Sequence, residues 1–201
     1  MTDELWPLHA QLSSLQSLLT LSKLMGDHGD QLRIAELAGT AVALSPEPVE
    51  VYEVIKDTVD LIGPLAAERA LQIDAPAPQA CAWTVHADRQ RLKQILLNLA
   101  SNAVKYNNQG GSIGLSCEDA DGRIRIAVAD TGPGIPPDKL PRLFTQFDRL
   151  GAEHSEIQGT GMGLVLAKRL AEAMGGALTV ASVEGEGTTF TLDLSLAMEP
   201  A

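Results

Sequence analysis

The succession of helical and strand patterns along these 201 residues predicts an α/β chain: a two-layer α/β sandwich with its helices on one face, preceded by a short helical hairpin. Three observations carry that prediction. Apolar residues recur at helical spacing through 51–65 and again through 88–107. Short alternating runs rich in β-branched residues surround and follow the second helix, two of them joined by Asp121-Gly122, a two-residue hairpin signal. A narrow leucine seam near the start of the chain needs another helix to cover it.

The elements follow in order. Residues 5–25 carry Leu5, Leu8, Leu12, Leu15 and Leu19 at a and d positions of a heptad, with further leucines at 18, 21 and 24. A Gly/Asp turn at 26–30 leads to a second short helix from Gln31 to about Leu37. Pro46 and Pro48 mark 44–48 as a linker, because two prolines in three residues preclude a helix. Val51, Ile55, Val59, Ile62 and Leu65 then form a helical stripe, with Pro64 expected to kink or restart its last turn. Two short strands are expected at 71–74 and 82–86 around a proline-bearing loop, followed by a helix over 88–107. Strands at 112–118 and 123–129 flank the hairpin turn. Residues 137–143 suit one short helix, and the polar stretch 152–158 reads as a lid, bounded more widely at 149–160. A helix over 162–174, Gly175-Gly176, and strands at 177–182 and 188–195 close the chain.

Composition narrows the class. With 45% hydrophobic and 3% aromatic residues, aliphatic side chains must fill the core. The formal charge of −11 argues against nucleic acid and against anionic membranes, both of which need basic patches. An anionic ligand would have to be held by local donors and a metal ion. No apolar run reaches the roughly 18 residues of a membrane span, so a soluble, cytoplasmic chain is expected. Cys81 and Cys117 are far apart and lack metal-ligand spacing, which reads as two isolated small residues in a reducing compartment.

The chemistry gathers in three places. On the helix 88–107, Asn98, Asn102 and Lys105 share one face beside the apolar face of Leu92, Ile95, Leu96, Leu99 and Ala103. Amide oxygens are hard ligands suited to Mg²⁺, and a neighbouring lysine can meet a phosphate. An alternating strand then ends in Asp130-Thr131-Gly132-Pro133-Gly134-Ile135. Farther on, Gly159-Thr160-Gly161-Met162-Gly163-Leu164 runs into a helical pattern whose start offers unpaired N–H groups to an anion.

In order and spacing, Asn98 to Tyr106, Asp130 to Ile135, Leu143-Phe144 to Phe147 and Arg149, and Gly159 to Leu164 resemble the N, G1, F and G2 boxes of sensor histidine kinases. The stretch 182–190 is similar to that family's closing strand motif. The resemblance implies a division into a helical hairpin for dimerisation, 1–45, and an ATP-binding catalytic domain, 46–198, with the fold shared by gyrase-type and chaperone-type ATPases. It also implies Mg²⁺-ATP as cofactor, with Asn102 ligating the metal and Asn98 assisting. Asp130 would accept the adenine amino group, which a guanine carbonyl could not replace. Lys105 and Arg149 would face the phosphates, and Tyr106 the adenine. Gly132, Gly134, Ile135, Gly159, Thr160, Gly161, Gly163, Leu164 and Thr189 would complete the pocket, with Phe144 and Phe147 anchoring the lid.

The implied activity is transfer of the γ-phosphoryl group to a histidine within a two-component system, with a response-regulator receiver domain as partner and a homodimer as assembly. His9 is the candidate acceptor, at an e position beside the seam. It departs from the family pattern, because Ala10 stands where an acid follows the histidine and Ser13-Ser14 where Thr-Pro would be. Two other readings share parts of this pattern: a phosphotransfer or scaffold protein that kept the fold without using ATP, and an anti-sigma-type serine kinase.

Overall fold

A computed structural model of the chain describes residues 43–145 and 163–197. The expected hairpin, with His9, and the expected lid, with Phe147, Arg149, Gly159, Thr160 and Gly161, lie outside these residues.

The chain enters through a strand that the sequence did not disclose. β1 (Glu47–Glu50) stands where 44–48 reads as a linker, and pairs antiparallel with β3 (Thr84–Ala87). Prolines exclude a helix, but an edge strand tolerates them where no ladder N–H is needed. Next, α1 (Val51–Glu68) buries Val51, Val54, Ile55, Thr58, Ile62 and Ala66. Pro64 sits inside this helix without ending it. Thr58 satisfies its buried hydroxyl by donating to the Val54 carbonyl at 2.7 Å.

β2 (Gln72–Asp74) is followed by a 3-10 turn at Pro78–Cys81. Beyond β3, Asp88 caps α2 (Arg89–Lys105) by accepting the Arg91 N–H at 3.1 Å. α1 and α2 pack together, and Asp57 on α1 accepts from Lys93 at 3.0 Å and Arg89 at 3.4 Å on α2. The Lys93 hydrogen bond, aided by Arg89, holds the Asp57 carboxyl below its ordinary range.

β4 (Ser112–Ala120) and β5 (Arg123–Asp130) form the expected hairpin, with Asp121 at φ 55° and Gly122 at φ 78°, the two positive values a type I′ turn requires. The short helix expected over 137–143 is only a 3-10 turn, Leu140–Arg142, because Pro136, Pro137 and Pro141 withhold the N–H groups a longer helix needs. After α3 (Gly163–Ala173), β6 (Ala177–Val183) and β7 (Gly187–Ser195) close the fold.

The main sheet has the order β2-β4-β5-β7-β6, parallel between β2 and β4 and antiparallel elsewhere. Alternation gives it one apolar face, built from Ile113, Leu115, Ile124, Ile126, Val128, Phe190, Leu192 and Leu194, all buried. Ile55, Ile62, Leu92, Ile95, Leu96, Leu99 and Leu170 supply the helical layer. Each such side chain contributes about 1.5–3 kcal/mol on burial, so this seam is the main source of stability. The other face carries small and charged residues, with Asp193 bridging Arg123 and Arg125. Two of the core strands end where the chemistry begins: Asp130 closes β5 opposite Thr188 near the start of β7.

Candidate nucleotide site

α2 presents its amide face beside a fully buried apolar face of Leu92, Ile95, Leu96 and Leu99. Asn98 is 7% exposed, with its Nδ2 lacking any hydrogen-bond partner among the described residues. Such an orphan donor costs roughly 1–3 kcal/mol unless something arrives to satisfy it. The group in front of it is the start of α3: a Cβ placed on Gly163 would collide with the Asn98 amide oxygen. Only a glycine lets the first turn of α3 come this close to the amide. Asn102 and Lys105, one and nearly two turns on, are half-buried. Burial holds the Lys105 ammonium below its ordinary range, a penalty that an anion alongside would relieve.

The end of α2 is pinned by a residue that no local pattern singles out. Arg69, immediately after α1, donates to the carbonyls of Val104 at 2.7 Å, Lys105, and Asn107 at 3.0 Å. These are the orphan acceptors of a helix C-terminus, where a cation is also favoured by the helix dipole. Lys105 and Tyr106 are thereby fixed in place from the opposite helix. Tyr106 is 40% exposed, one of two exposed large hydrophobic residues among those described.

The loop that follows α2 is laced to the glycine turn after β5. Asn107 donates to the Ser112 carbonyl at 2.9 Å, and Asn108 to the Thr131 carbonyl at 3.1 Å. Thr131 in turn accepts the Ser112 N–H at 2.8 Å. On the far side, the β6–β7 hairpin braces the same turn. Gly185 N–H donates to the Pro133 carbonyl at 2.8 Å, and Ile135 N–H to the Ser182 hydroxyl at 2.8 Å. The Ser182 hydroxyl lies 2.9 Å from the Gly187 carbonyl and 2.8 Å from the Thr188 hydroxyl. Gly134 adopts φ 67°, and a Cβ there would run into the Val183 carbonyl, so a side chain is excluded by both conformation and space.

Asp130 sits where these elements meet. Its carboxylate accepts the Gly132 N–H at 2.9 Å and the Thr188 backbone N–H. Among the described residues, no lysine or arginine pairs with it. Burial raises its pKa above 3.8, and the two N–H bonds only partly oppose that. The arrangement is a half-buried, uncompensated acceptor on a rigid turn, open to a neutral donor such as an amino group.

The structure thus brings Asp130, Gly132, Gly134 and Ile135 into one braced turn, and Asn98 against Gly163 at the start of α3. Leu164 lies in that first turn and is half-buried. Phe144 packs near the same helix, with Lys168 Nζ 4.8 Å from its ring centre. Thr189 falls elsewhere: it pairs with Ala129 and Ala181, and alternation turns its side chain to the outer face of the sheet. Its neighbour Thr188, 6% exposed, is the one directed to the inner face beside Asp130. The two cysteines are not isolated either. Cys81 and Cys117 are paired as a disulfide, with Cα atoms 5.7 Å apart.

Among the described residues, no group of three or more His, Cys, Asp or Glu could hold a metal ion. The amides of Asn98 and Asn102 are a sparse donor set, which fits Mg²⁺, an ion that keeps several waters and shares the rest of its shell with phosphate oxygens. The orphaned Asn98 amide beside a helix start fits an anion-bearing ligand as well. No described helix is long and apolar enough to cross a membrane.

Residues 87–198 match the family of histidine kinase-, DNA gyrase B-, and HSP90-like ATPases. The chain is 41% identical over 116 residues to the histidine protein kinase DivJ of Caulobacter vibrioides, covering 58% of this chain and 19% of that protein. It is 33% identical over 180 residues to the aerobic respiration control sensor protein ArcB of Escherichia coli, covering 89% of this chain and 23% of that one. Among solved structures, full-length ShkA in complex with AMPPNP is similar, with a TM-score of 0.73 and 36% identity over 90% of this chain and 37% of that one. The chain therefore spans about a fifth of the length of these two curated relatives.

Proposed function

This chain belongs to the family of histidine kinase-, DNA gyrase B-, and HSP90-like ATPases, and from that premise we propose that it is the catalytic part of a two-component histidine kinase, binding Mg²⁺-ATP and passing the γ-phosphoryl group to a histidine. The observation that carries the reading is the uncompensated Asp130 carboxylate on its doubly braced turn, beside an α2 face of Asn98, Asn102 and Lys105. A scaffold without ATP use would have no need to keep this acceptor desolvated at a cost.

Each residue has a role in this reading. Asp130 accepts from the adenine amino group and selects against guanine, whose carbonyl oxygen would face a carboxylate. The turn through Gly132 and Gly134 lets backbone approach the base. Asn102, with Asn98, would hold Mg²⁺, which offsets phosphate charge when bound. Lys105 adds a positive charge on the phosphate side. Gly163 lets the start of α3 approach the phosphates. In the transfer, the bond from the γ-phosphorus to the bridging oxygen breaks, ADP departs, and a bond to an imidazole nitrogen forms. We assign the acceptor to His9, the assembly to a homodimer through the leucine seam of 1–45, and the onward partner to a response-regulator receiver domain.

Labelled ATP incubated with the full chain and with His9→Gln tests this. The expected product is an acid-labile, base-stable phosphoryl group on the parent chain and none on the variant. Equal label on both would exclude His9. Absence of ATP binding by calorimetry with Mg²⁺ present would overturn the proposal itself.

The site also predicts a bell-shaped affinity for ATP. Asp130 must be ionised to accept the amino group, and its pKa lies above the ordinary 3.8. Affinity is therefore lost on acidification at a higher pH than an ordinary aspartate would give. Lys105 must be protonated to meet a phosphate, and its pKa lies below the ordinary 10.5. Affinity accordingly falls on the alkaline side before ordinary lysines titrate. Calorimetric titrations over a pH series should show both limbs, and Asp130→Asn should remove the acid one.

A further inference from the structure

Away from the nucleotide site, the chain's two cysteines meet. Cys117 lies in the second half of β4, beyond the three residues that pair with β2, so that edge of the strand has no ladder partner there among the described residues. The 3-10 turn Pro78–Cys81 covers this open edge. Cys81 is fully buried, whereas Cys117 is part-exposed. Their Cα atoms are 5.7 Å apart, inside the narrow band that native disulfides occupy. The Cys117 sulfur also lies 3.5 Å from the Ala80 carbonyl, so a reduced thiol has an acceptor in the same backbone geometry. Both redox states can thus be held without moving the strand. The chain contains no other cysteine, so no alternative intramolecular pairing exists.

We propose that Cys81 and Cys117 form a thiol–disulfide exchange site, which takes low-molecular-weight disulfides and in its oxidised form staples the Pro78–Cys81 turn to the open edge of β4. The Cys117 thiolate, the reachable one, attacks one sulfur of the small disulfide. A mixed disulfide forms and one small thiol leaves. The Cys81 thiolate then attacks the Cys117 sulfur, the mixed disulfide breaks, and the second small thiol leaves. Two protein thiols are oxidised and one small disulfide is reduced to two thiols, the two protons of the protein thiols ending, by way of solvent, on the departing small thiols. In a reducing compartment the pair rests as thiols and closes when the thiol pool is oxidised.

The bond encloses 36 residues of sequence separation, including β3 and all of α2. It would restrict the unfolded chain while leaving the nucleotide site alone, because Cys117 pairs with Ile126, four residues along β5 from Asp130. This inference goes beyond the proposed kinase reading and does not depend on it.

The test compares the full chain after dithiothreitol with the same chain after oxidised glutathione. Oxidised protein should lose two hydrogens in mass, resist maleimide labelling without denaturation, and melt roughly 5–15 °C higher than reduced protein, from the loop it closes. Cys117→Ser and Cys81→Ala should show no redox-dependent shift. ATP affinity, where present, should agree between the two forms within about two-fold, the scatter expected for sites with no shared partners. Two maleimide adducts on glutathione-treated native protein, a retained glutathione adduct, or a disulfide-linked dimer would each overturn the proposal. So would identical melting of the two forms.

Discussion

Asp130→Asn should weaken ATP binding by roughly 10- to 150-fold, the equivalent of the ~1.5–3 kcal/mol that a hydrogen bond to a charged group contributes. The folded chain should not lose stability with it. Burial raises the Asp130 pKa, so at neutral pH the ionised form is held at a cost that the unfolded chain does not bear. Linkage gives the sign: the native state binds this proton more readily, and stability falls as pH rises through the shifted pKa. An asparagine removes that cost and keeps an oxygen for the Gly132 N–H. Affinity should therefore fall while the melting temperature holds or rises. The preference for ATP over GTP should narrow in the same variant. Calorimetry with both nucleotides, together with thermal melts, checks all three. A parallel loss of stability would make Asp130 a structural residue of the turn instead.

Gly134→Ala should act the other way, through the fold first. At φ 67° a side chain costs about 1–3 kcal/mol of strain. The added carbon would also meet the Val183 carbonyl, a backbone atom that cannot swing aside. The turn must then lift off β6, breaking the Gly185–Pro133 and Ile135–Ser182 bonds that hold it. A melting temperature lower by roughly 5–15 °C is expected, with ATP binding below detection, because the turn carrying Asp130 would no longer be fixed. Gly114→Ala supplies the control. Gly114 lies in β4 with no atom beyond its chain neighbours within 4 Å of the new carbon, so the fold and ATP binding should both hold.

Much of this was readable from residue patterns because local and tertiary preferences agree. α2 follows from its apolar period and the Asp88 cap, and the β4–β5 hairpin from Asp121-Gly122, whose backbone angles are the ones its turn type demands. The unread parts each have a physical cause. β1 was hidden by prolines that forbid a helix but leave an edge strand open. The stretch 137–143 has the length of a helix and too few free N–H groups to build one. Which threonine of β7 faces inward was legible: Phe190, Leu192 and Leu194 set the inward parity, and parity places Thr188 with them and Thr189 outward. Arg69 and the cysteine pair had no such signal. Their partners lie 35 to 38 and 36 residues away, and side chains that meet only through the fold leave no periodicity behind.

The small sheet at the edge of the domain decides how the whole would bear a load. Val49 of β1 pairs with Val85 of β3, and Val85 bridges in turn to Leu196, while Ala197 N–H donates to the Thr84 carbonyl at 2.9 Å. At about 4.8 Å per strand spacing, residues 49 and 196 stand roughly 10 Å apart on one three-strand row. Tension applied through the flanking chain would load this row at both ends, shearing β3 between its two neighbours, with β7 next in line because Leu196 follows it directly. The same closeness lets the domain be spliced between other segments, or its ends be joined by a few residues, with its core and its glycine turn untouched.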